Sequence, residues 1–395
     1  MDVAIFTMAD HLRTGGNYRL FKVLNFLPKN KYVLLIPQNK KFQLINDIRF
    51  LNNHEKSSFL EIVNSAITLP PIKEGALNYT KYAYMVYRTA KKLGASLVYF
   101  PHEANVYVHL GFRIAGRSWT ALLQQTPVVG SLTYEGGRGF SLFYKNMEKL
   151  NLTSIKVIKA YIRFNIFRYA SHGIPLLAVS ASIPYELEKL GIKRSIKVLR
   201  PGVGVEECPY AYNQTRDIDL LYFARIIPEK GIFDFIEIAR RISRVRNNTR
   251  IAIMGATAPD MAEKVKATLA EAGIRAELFF NASRDLVLRN LSRAKMVIYP
   301  SRIDAFPLAV LEALSCGTPV IAYNIPAIRF NYTTPAVKKV GVGYIKEAVK
   351  KALDLLQGDA WKDLSKEAIS FASRYKWEDV AKAEWSTLQE IMNTY

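Results

Sequence analysis

Two acids and two cations in the second half of the chain are spaced so that together they could bind an extended anionic ligand. Asp304 and Glu312 stand eight positions apart, which on a helix is roughly 12 Å, too far for both to hold one metal ion. Arg225 and Lys230 bracket a predicted strand-to-helix turn, where two cations could neutralise a diphosphate. Ordinary surface charges are the alternative interpretation of both pairs.

A helix predicted to begin near Pro307 would place free backbone N–H groups between these two acids. Proline suits the first turn of a helix, and the apolar segment that follows it carries Glu312. The first N–H groups of a helix and the positive end of its dipole attract phosphate. The segment around Pro307 is therefore a predicted phosphate-binding helix start.

Two further positions follow predicted strands in the first half of the chain. Gly15 and Gly16 come after the first apolar run, and a double glycine allows the backbone to approach a phosphate or an acceptor closely. His102 follows the run LVYFP, and a histidine at a strand end suits polar chemistry near neutral pH. A structural histidine bonded to the backbone is the alternative for His102, and it is the interpretation given to His109 and His172.

The elements that must position these residues alternate along the whole chain. Short apolar runs such as VAIFTM, SLVYFP, DLLYFAR and KMVIYP are separated by longer segments with helical periodicity. This pattern predicts parallel sheets with helices on both faces, in two doubly wound Rossmann-like domains that face a central cleft. The turn-rich stretch RPGVGVEECPYAYNQTRD marks the boundary between domains at 1–200 and 201–375. Residues 376–395 are predicted to form a closing helix that packs back towards the N-terminal domain.

The motifs of the second half resemble those of the retaining glycosyltransferases of family 4. The resemblance rests on Arg225 with the turn at 228–231 (PEKG), on the acids Asp304 and Glu312, and on the run at 316–321 (CGTPVI). It implies a GT-B fold, in which the first domain binds the acceptor and the second binds a nucleotide-diphosphate sugar. Transfer of a hexose with retention of configuration is the implied reaction, without a covalent protein intermediate, a metal or a cofactor.

The resemblance also implies a role for each matching residue. Arg225 and Lys230 would hold the diphosphate, and Glu312 would hold the ribose hydroxyls. Asp304 would hold sugar hydroxyls, although the family usually has glutamate at this position. The stretch at 102–105 (HEAN) is similar to a His-Glu-Pro-Asn stretch of lipid-directed mannosyltransferases in the family, where the histidine contacts the donor sugar near the reaction centre.

These implied roles define two sets of residues. The catalytic set is His102, Arg225, Lys230 and Asp304. The donor-binding set is Gly15, Gly16, Arg225, Lys230, Asp304, Phe306, Pro307, Leu308 and Glu312.

The charge of the chain is concentrated in its first half. The formal net charge is +21, and residues 1–200 carry 28 Lys and Arg against 11 Asp and Glu. Two predicted helices, NYTKYAYMVYRTAKKLG and KVIKAYIRFNIF, each place three cations on one side. These residues are Lys81, Arg88, Lys92, Lys156, Lys159 and Arg163. They predict attachment to an anionic membrane surface and a lipid-linked or glycan acceptor, with a solvated helix face as the alternative.

The composition narrows the setting in which the protein works. No run of eighteen apolar residues occurs, and the first residues predict a buried strand rather than a signal peptide. The two cysteines, Cys208 and Cys316, are far apart in the sequence, so no disulfide is expected and a reducing compartment is favoured. The five histidines form no metal-binding spacing with the cysteines. These features predict a cytoplasmic protein, peripheral on the cytoplasmic face of a membrane.

Some segments depart from the family or imitate other motifs. Residues 324–329 (NIPAIR) replace the family's Gly-Gly-x-x-Glu, so the resemblance does not carry over the donor sugar. Asp217 and Asp219 imitate a metal-binding acid pair but precede a predicted strand, so they are predicted turn residues. The glycine-rich stretch at 135–139 (EGGRG) is predicted to be a mobile cleft loop.

Three other functions stay open at this point. A sugar-nucleotide epimerase can share the two-domain shape and would act on the donor without an acceptor. A nucleic-acid glucosyltransferase would explain the basic half, but no basic-aromatic strand motif supports nucleic acid as a partner. A non-catalytic sugar-binding relative would explain the departure at Asp304.

Overall fold

The computed structural model describes residues 2–127 and 155–394, apart from positions 13, 50, 52, 102–104, 195, 213–214 and 358–359. The described residues form two compact units. The second unit is Val205–Lys376, and the first comprises the residues before Val205 together with those from Trp377 onward.

The first unit is built on a parallel sheet that has seven strands within the described residues. The strands are β1 (Val3–Phe6), β2 (Tyr32–Pro37), β3 (Ile67–Leu69), β4 (Leu97–Phe100), β5 (Trp119–Leu123), β6 (Leu176–Ala178) and β7 (Ile196–Val198). Their spatial order is β3-β2-β1-β4-β5-β6-β7. The central strands β1, β4 and β5 are buried along their whole length, as expected where helices cover both faces of a sheet.

Helices connect these strands in a doubly wound pattern. They are α1 (Gly15–Leu24), α2 (Gln38–Ile48), α3 (Asn53–Ser65), α4 (Ala76–Lys92), α5 (Val106–Ala115), α6 (Ile155–Ala170) and α7 (Ser182–Lys189). The chain adds strands outward from β1 to β3 and then in the opposite direction from β4 to β7. Right-handed connections therefore place α1 to α3 on one face and α4 to α7 on the other. On that second face α4 packs on α5, and α5 packs on α6.

The second unit repeats the plan with a parallel sheet ordered β10-β9-β8-β11-β12-β13. Its strands are β8 (Leu220–Phe223), β9 (Ile251–Gly255), β10 (Glu277–Phe280), β11 (Val297–Tyr299), β12 (Val320–Tyr323) and β13 (Val337–Val340). Its helices are a 3₁₀ turn (Pro228–Lys230), α8 (Ile232–Val245), α9 (Pro259–Glu271), α10 (Arg284–Arg293), α11 (Leu308–Ser315), α12 (Pro326–Asn331), α13 (Ile345–Leu356) and α14 (Trp361–Ala372). The two sheets confirm the predicted fold class of two doubly wound Rossmann-like domains.

Each sheet has one point at which the direction of strand addition reverses. In the first sheet this point lies between β1 and β4, and in the second it lies between β8 and β11. Ligands of open parallel sheets bind at the carboxyl ends of the strands beside such a point. Arg225 and Lys230 follow β8, whereas Asp304 and Glu312 follow β11, so the topology brings these four residues to the reversal point of the second sheet.

The prediction that the two cysteines stay unpaired was wrong. A disulfide joins Cys208 and Cys316, whose Cα atoms are 5.0 Å apart although 108 residues separate them. Cys208 lies in the segment that leads into β8, and Cys316 ends α11, so the fold brings together positions that the sequence separates. Arg216 fastens the same region, because its guanidinium donates to the carbonyls of Ala294 and Cys316 at 2.6 and 2.9 Å.

The C-terminal helix α15 (Trp377–Met392) is held to the first unit by a buried charged contact. Glu384 accepts hydrogen bonds from the Arg19 guanidinium and the Tyr99 hydroxyl, each at 2.6 Å. The Nε of Arg19 also donates to the Gly202 carbonyl at 2.7 Å. The side chains of Arg19 and Glu384 are each only 1% exposed, so both charges have lost their hydration. The attraction between the two charges compensates for that loss.

We expect Glu384→Ala to lower the free energy of unfolding by about 3–5 kcal/mol, because the buried Arg19 charge would lose its partner. The matched control is Glu390→Ala on the same helix, which removes the exposed pair with Lys197 and should cost less than about 1 kcal/mol. Urea unfolding of both variants measures the difference. Equal losses in the two variants would contradict a stabilising role for the buried pair.

Candidate active site

The turn after β8 is held by a buried tyrosine on the strand itself. The Tyr222 hydroxyl shares its single O–H donor between the backbone carbonyls of Arg225 and Lys230, whose oxygens lie 2.9 and 3.3 Å away. This single phenol therefore fixes both ends of the turn that carries the two predicted cations. The Arg225 side chain is exposed, and no hydrogen bond or ion pair joins it to another described residue. It is available to a ligand at the end of β8.

Gly231 is the residue that lets this turn lie against the neighbouring strand. Its φ is +78°, a conformation that favours glycine. A Cβ atom at this position would lie only 2.0 Å from the carbonyl oxygen of Pro300, the residue that follows β11. Contact between the two loops therefore requires glycine after Lys230, which explains the Lys-Gly pair of the motif.

Lys230 and Asp304, predicted to bind different parts of one donor, form an ion pair with each other. The Lys230 ammonium lies 2.5 Å from Asp304 Oδ2 and 2.9 Å from the carbonyl oxygen of Ile303. The Tyr299 hydroxyl donates to the same carboxylate oxygen at 2.6 Å, and the Ala305 N–H donates to the other at 2.9 Å. An ammonium has three N–H donors, so Lys230 retains one beyond these two contacts.

These contacts keep Asp304 ionised. Burial acts to raise the pKa of Asp304, but the Lys230 ammonium and the hydrogen bonds from Tyr299 and Ala305 outweigh it, so the pKa lies below its usual value. Burial and the adjacent Asp304 carboxylate raise the pKa of Tyr299 well above its usual range. Tyr299 is therefore a neutral hydrogen-bond donor, and Asp304 is a charged acceptor aimed at the end of β11.

Glu312 lies on the second turn of α11 and forms an ion pair with Arg284 at the start of α10. The Glu312 side chain is 14% exposed and that of Arg284 is 30% exposed. Arg284 is not among the site residues predicted from the sequence. The one signal that could have identified it is the position of a cation in the first turn of a helix, where the helix dipole disfavours positive charge.

The loop between Asp304 and α11 is held in place by the end of α12, just beyond the segment that departs from the family pattern. Asn331, the last residue of α12, donates to the Ala305 carbonyl at 3.1 Å. The Tyr332 hydroxyl donates to the Pro307 carbonyl at 2.7 Å. Phe306 stacks edge-on against Tyr332, with ring centroids 5.8 Å apart, so it supports the loop from one side.

The start of α11 confirms the expected helix beginning near proline. Pro307 is the N-cap, and no side chain caps the helix there. Leu308 is the first helical residue, so the first N–H groups of α11 have no partner within the helix. An anion bound beside Leu308 would satisfy them and would lie between the carboxylates of Asp304 and Glu312 along the chain.

A second polar cluster, formed by Arg302, Asp234 and Tyr323, supports the loop that carries Asp304. Arg302 donates to Asp234 at 2.6 Å, and the Tyr323 hydroxyl donates to the same oxygen at 2.7 Å. The backbone N–H of Arg302 also donates to the carbonyl of Glu229 in the turn after β8, at 3.0 Å. Three adjacent strands, β8, β11 and β12, thus each carry a buried tyrosine at or next to their last residue, whose hydroxyl binds a residue that follows β8 or β11.

The reversal point of the first sheet carries the predicted glycine pair. Gly15 and Gly16 begin α1, and the Thr14 side chain caps that helix by accepting from the Asn17 N–H. The Gln124 amide donates to the carbonyls of Gly16 and Pro101 at 3.3 and 2.6 Å, which joins the loops after β1 and β4. His102 follows Pro101 and lies outside the described residues, as does the glycine-rich stretch at 135–139.

The acid pair that imitates a metal site lies at the other end of the second sheet. Asp217 binds the Arg293 guanidinium at 2.8 Å, and Asp219 binds the Lys295 ammonium at 2.8 Å. Both acids precede β8, on the side of the sheet away from the strand carboxyl ends. Asp217 and Asp219 thus lie before a strand, at the end of the sheet where the sequence placed them.

The predicted basic patches belong to one layer of helices on the first unit, formed by α4, α5 and α6 and called the basic helix layer below. These three helices contain nine Lys and Arg and no Asp or Glu. The described exposed side chains include the predicted cations Lys81, Arg88, Lys92, Lys159 and Arg163 and the apolar or aromatic residues Leu77, Tyr84, Ile114, Tyr161, Ile162 and Tyr169. The side chain of Lys156, on α6, is not among those described.

Cation–aromatic contacts join the helices of the basic helix layer. The Arg163 guanidinium of α6 lies over the Tyr107 ring of α5 at 5.9 Å, and that of Arg113 of α5 lies over the Tyr169 ring of α6 at 6.0 Å. No helix of the described chain is both long and apolar enough to cross a bilayer. The described part of the layer thus combines exposed cations and aromatic rings on helices that contain no acid.

Comparison with known proteins agrees with this geometry. Residues 212–356 match the family model described as glycosyl transferases group 1. The chain is 31% identical over 161 residues to glycogen synthase from Mycobacterium tuberculosis. The aligned segment covers 38% of this chain and 37% of that protein. It is 31% identical over 119 residues to D-inositol 3-phosphate glycosyltransferase from Mycobacterium leprae. That aligned segment covers 29% of this chain and 28% of the relative. The chain thus matches about a third of the length of these relatives.

Solved structures resemble the whole chain at low sequence identity. Sucrose-phosphate synthase from Thermosynechococcus elongatus superposes with a TM-score of 0.72 at 14% identity and covers 100% of both chains. Anabaena Alr3699/HepE in complex with UDP gives a TM-score of 0.70 at 13% identity, over 99% of this chain and 100% of that one. WaaG, a glycosyltransferase involved in lipopolysaccharide biosynthesis, gives 0.65 at 13% identity, over 98% and 99% of the two chains. The chain therefore has the GT-B fold, and its residues 212–356 match the glycosyl transferases group 1 model.

Proposed function

We propose that this chain is a retaining glycosyltransferase that moves a hexose from a nucleotide-diphosphate sugar to an acceptor hydroxyl. The observation that carries the proposal is the convergence of Arg225, Lys230, Asp304 and Glu312 at the reversal point of the second sheet, beside the uncapped start of α11. All four lie within the segment that matches glycosyl transferases group 1. Structures of Anabaena Alr3699/HepE with UDP and UDP-glucose support a donor of this class.

In the proposed complex each charged group has one part of the donor to bind. The exposed Arg225, the third N–H of Lys230 and the first amides of α11 would share the diphosphate. Asp304 would accept hydrogen bonds from the sugar hydroxyls, and Glu312 would accept them from the ribose. The cations and the helix start supply the positive charge that the leaving diphosphate needs, so the proposal includes no metal and no cofactor.

The proposed reaction uses orientation and charge stabilisation. The bond between the anomeric carbon and the leaving phosphate oxygen breaks, and the acceptor oxygen bonds to the same face of the sugar. The departing phosphate takes the acceptor proton, and the cations stabilise its charge. His102 is proposed to contact the sugar near the anomeric carbon. An epimerase or a hydrolase of the same shape would convert the donor with no acceptor present, which separates those activities from transfer.

The two acids should separate nucleotide binding from turnover. Glu312→Ala should weaken nucleotide diphosphate binding about tenfold or more, because ribose hydroxyls lose a charged acceptor. Asp304→Ala should leave that affinity near the wild-type value and lower turnover, because it removes the sugar contact and releases Lys230. Calorimetric titration with UDP and GDP, together with turnover assays, measures both effects. Unchanged nucleotide affinity in Glu312→Ala would remove Glu312 from the ribose site.

The two cations should differ in their effect on stability while both support the reaction. Arg225→Ala and Lys230→Ala should each slow transfer about 100-fold or more, the usual scale of one transition-state charge contact. Arg225→Ala should keep the wild-type melting temperature, because its exposed side chain has no described partner. Lys230→Ala should lower that temperature, because it leaves the part-buried Asp304 carboxylate without its ammonium. Near wild-type rates in both variants, measured without added metal, would mean that the diphosphate is bound elsewhere.

We also propose that the acceptor is a lipid-linked glycan or a glycolipid, met at the cytoplasmic face of a membrane. The basic helix layer supports this, because it combines cations with exposed aromatic and aliphatic side chains and contains no acid to repel anionic lipid. Cytoplasmic leaflets carry a negative surface potential, and each basic residue near such a surface contributes about 1 kcal/mol. Attachment through this layer would be reversible and sensitive to salt.

Replacing Lys81, Arg88 and Lys92 with glutamate should weaken binding to phosphatidylserine vesicles about 100-fold or more, because three cations become anions. The control replaces Lys346, Lys350 and Lys366, three exposed lysines of the second unit, and changes the net charge equally. Vesicle sedimentation at low and high salt measures both variants, and calorimetry checks that nucleotide affinity is kept. Equal losses in the two variants would point to net charge alone and would contradict a role for the basic helix layer.

A further inference from the structure

Arg284 is the one residue of the candidate active site whose presence the proposed reaction does not explain. It begins α10 and forms an ion pair with Glu312 on α11, through its Nη1 and the Oε1 of the carboxylate. The two side chains are 30% and 14% exposed, so the pair is partly withdrawn from solvent. α10 and α11 pack against each other, which lets the arginine reach across.

Arg284 is a cation in the first turn of α10, where the helix dipole disfavours positive charge. The Ser283 side chain already caps the helix by accepting from the Leu286 N–H at 3.4 Å. A positive charge in the first turn opposes the helix dipole and therefore costs stability. The adjacent acid, Asp285, is bound to Arg289 at 2.7 Å and to the Tyr210 hydroxyl at 2.8 Å. Glu312, on the neighbouring helix, is the acid with which Arg284 forms an ion pair.

The ion pair engages one oxygen of the Glu312 carboxylate and leaves the other oxygen available to a ligand. Oε1 of Glu312 faces Arg284, whereas no described residue donates a hydrogen bond to Oε2. A free glutamate side chain has several rotamers and loses that freedom when it binds a ligand. A glutamate that is already held by an arginine has lost this rotamer freedom before the ligand binds. The ligand therefore binds with a smaller loss of entropy and with higher affinity.

We infer that Arg284 is a positioning residue that orients the Glu312 carboxylate for the ribose hydroxyls of the nucleotide. Discrimination between ribose and deoxyribose then depends on Arg284 although Arg284 itself does not touch the sugar. The inference rests on the proposed function, since it takes Glu312 as the ribose acceptor. An ion pair that only joins α10 to α11 would instead affect all nucleotides to the same extent.

The experiment compares affinities for ribonucleotides and deoxyribonucleotides. UDP and GDP, each with its 2′-deoxy and 3′-deoxy form, are titrated by calorimetry into the wild type, Arg284→Gln, Arg284→Lys and the control Arg289→Gln. Arg289 is a second arginine of α10 that is paired with an acid, but at the surface and away from Glu312. The wild type should prefer the ribonucleotide about tenfold or more, the scale of one hydrogen bond to a charged group.

Arg284→Gln should reduce this preference to within about threefold, and Arg284→Lys should restore part of it, because an ammonium can hold Glu312 with less directional control. Arg289→Gln should keep the wild-type preference. A full preference in Arg284→Gln, even with weaker binding of every nucleotide, would overturn the inference. Should that variant fail to fold, Arg284→Met keeps the length of the side chain and is judged by the same ratio.

Failure of the proposed function has a different signature in the same data. A wild-type protein that binds neither UDP nor GDP would contradict the donor-binding proposal itself. A wild type that binds them without any preference for ribose would contradict the role of Glu312. Only a wild type that discriminates, together with an Arg284→Gln variant that discriminates equally, rejects the positioning role and leaves the rest intact.

Discussion

The Lys230–Asp304 ion pair is the contact on which the geometry of the second reversal point depends. It joins the turn after β8 to the loop after β11, which are the two loops that the topology places side by side. Tyr222 fixes the backbone of one partner and Tyr299 binds the carboxylate of the other. Because both tyrosines lie on central buried strands, the positions of the charges are set by the sheet rather than by the flexible ends of long side chains.

The acids of the site are held by protein cations in the structure: Asp304 by Lys230 and Glu312 by Arg284. A carboxylate withdrawn from water needs such a partner, since an unpaired buried charge is strongly destabilising. Arg225 is the exception among the cations, because its side chain is exposed and has no described partner. For the proposed diphosphate, Arg225 would be a cation that is already available, whereas Lys230 would have to share its hydrogen bonds with Asp304.

The alternation of apolar runs with helical segments was enough to predict both sheets, and the position of each motif directly after a strand predicted which residues meet at the end of β8 and β11. Contacts between separate segments could not be predicted in this way. Arg284 and Glu312 are 28 residues apart and pair across two helices, and Cys208 meets Cys316 over a longer interval. Asn331, which supports the loop after Asp304, lies just beyond the segment where the sequence departs from the family pattern. No periodicity or spacing rule reports such tertiary neighbours.

The charged residues of the two units differ in how strongly dissolved salt should screen them. In the second unit the Lys230–Asp304 and Arg284–Glu312 ion pairs are partly shielded from solvent, so dissolved salt screens them weakly. In the first unit the basic helix layer has no acids to balance its cations, and its field reaches into solvent over about 8 Å at physiological ionic strength. Salt should therefore act strongly on any surface that this layer binds and weakly on these two ion pairs. In the proposed function, membrane attachment would be more sensitive to salt than the ion pairs that hold the two proposed donor-binding acids.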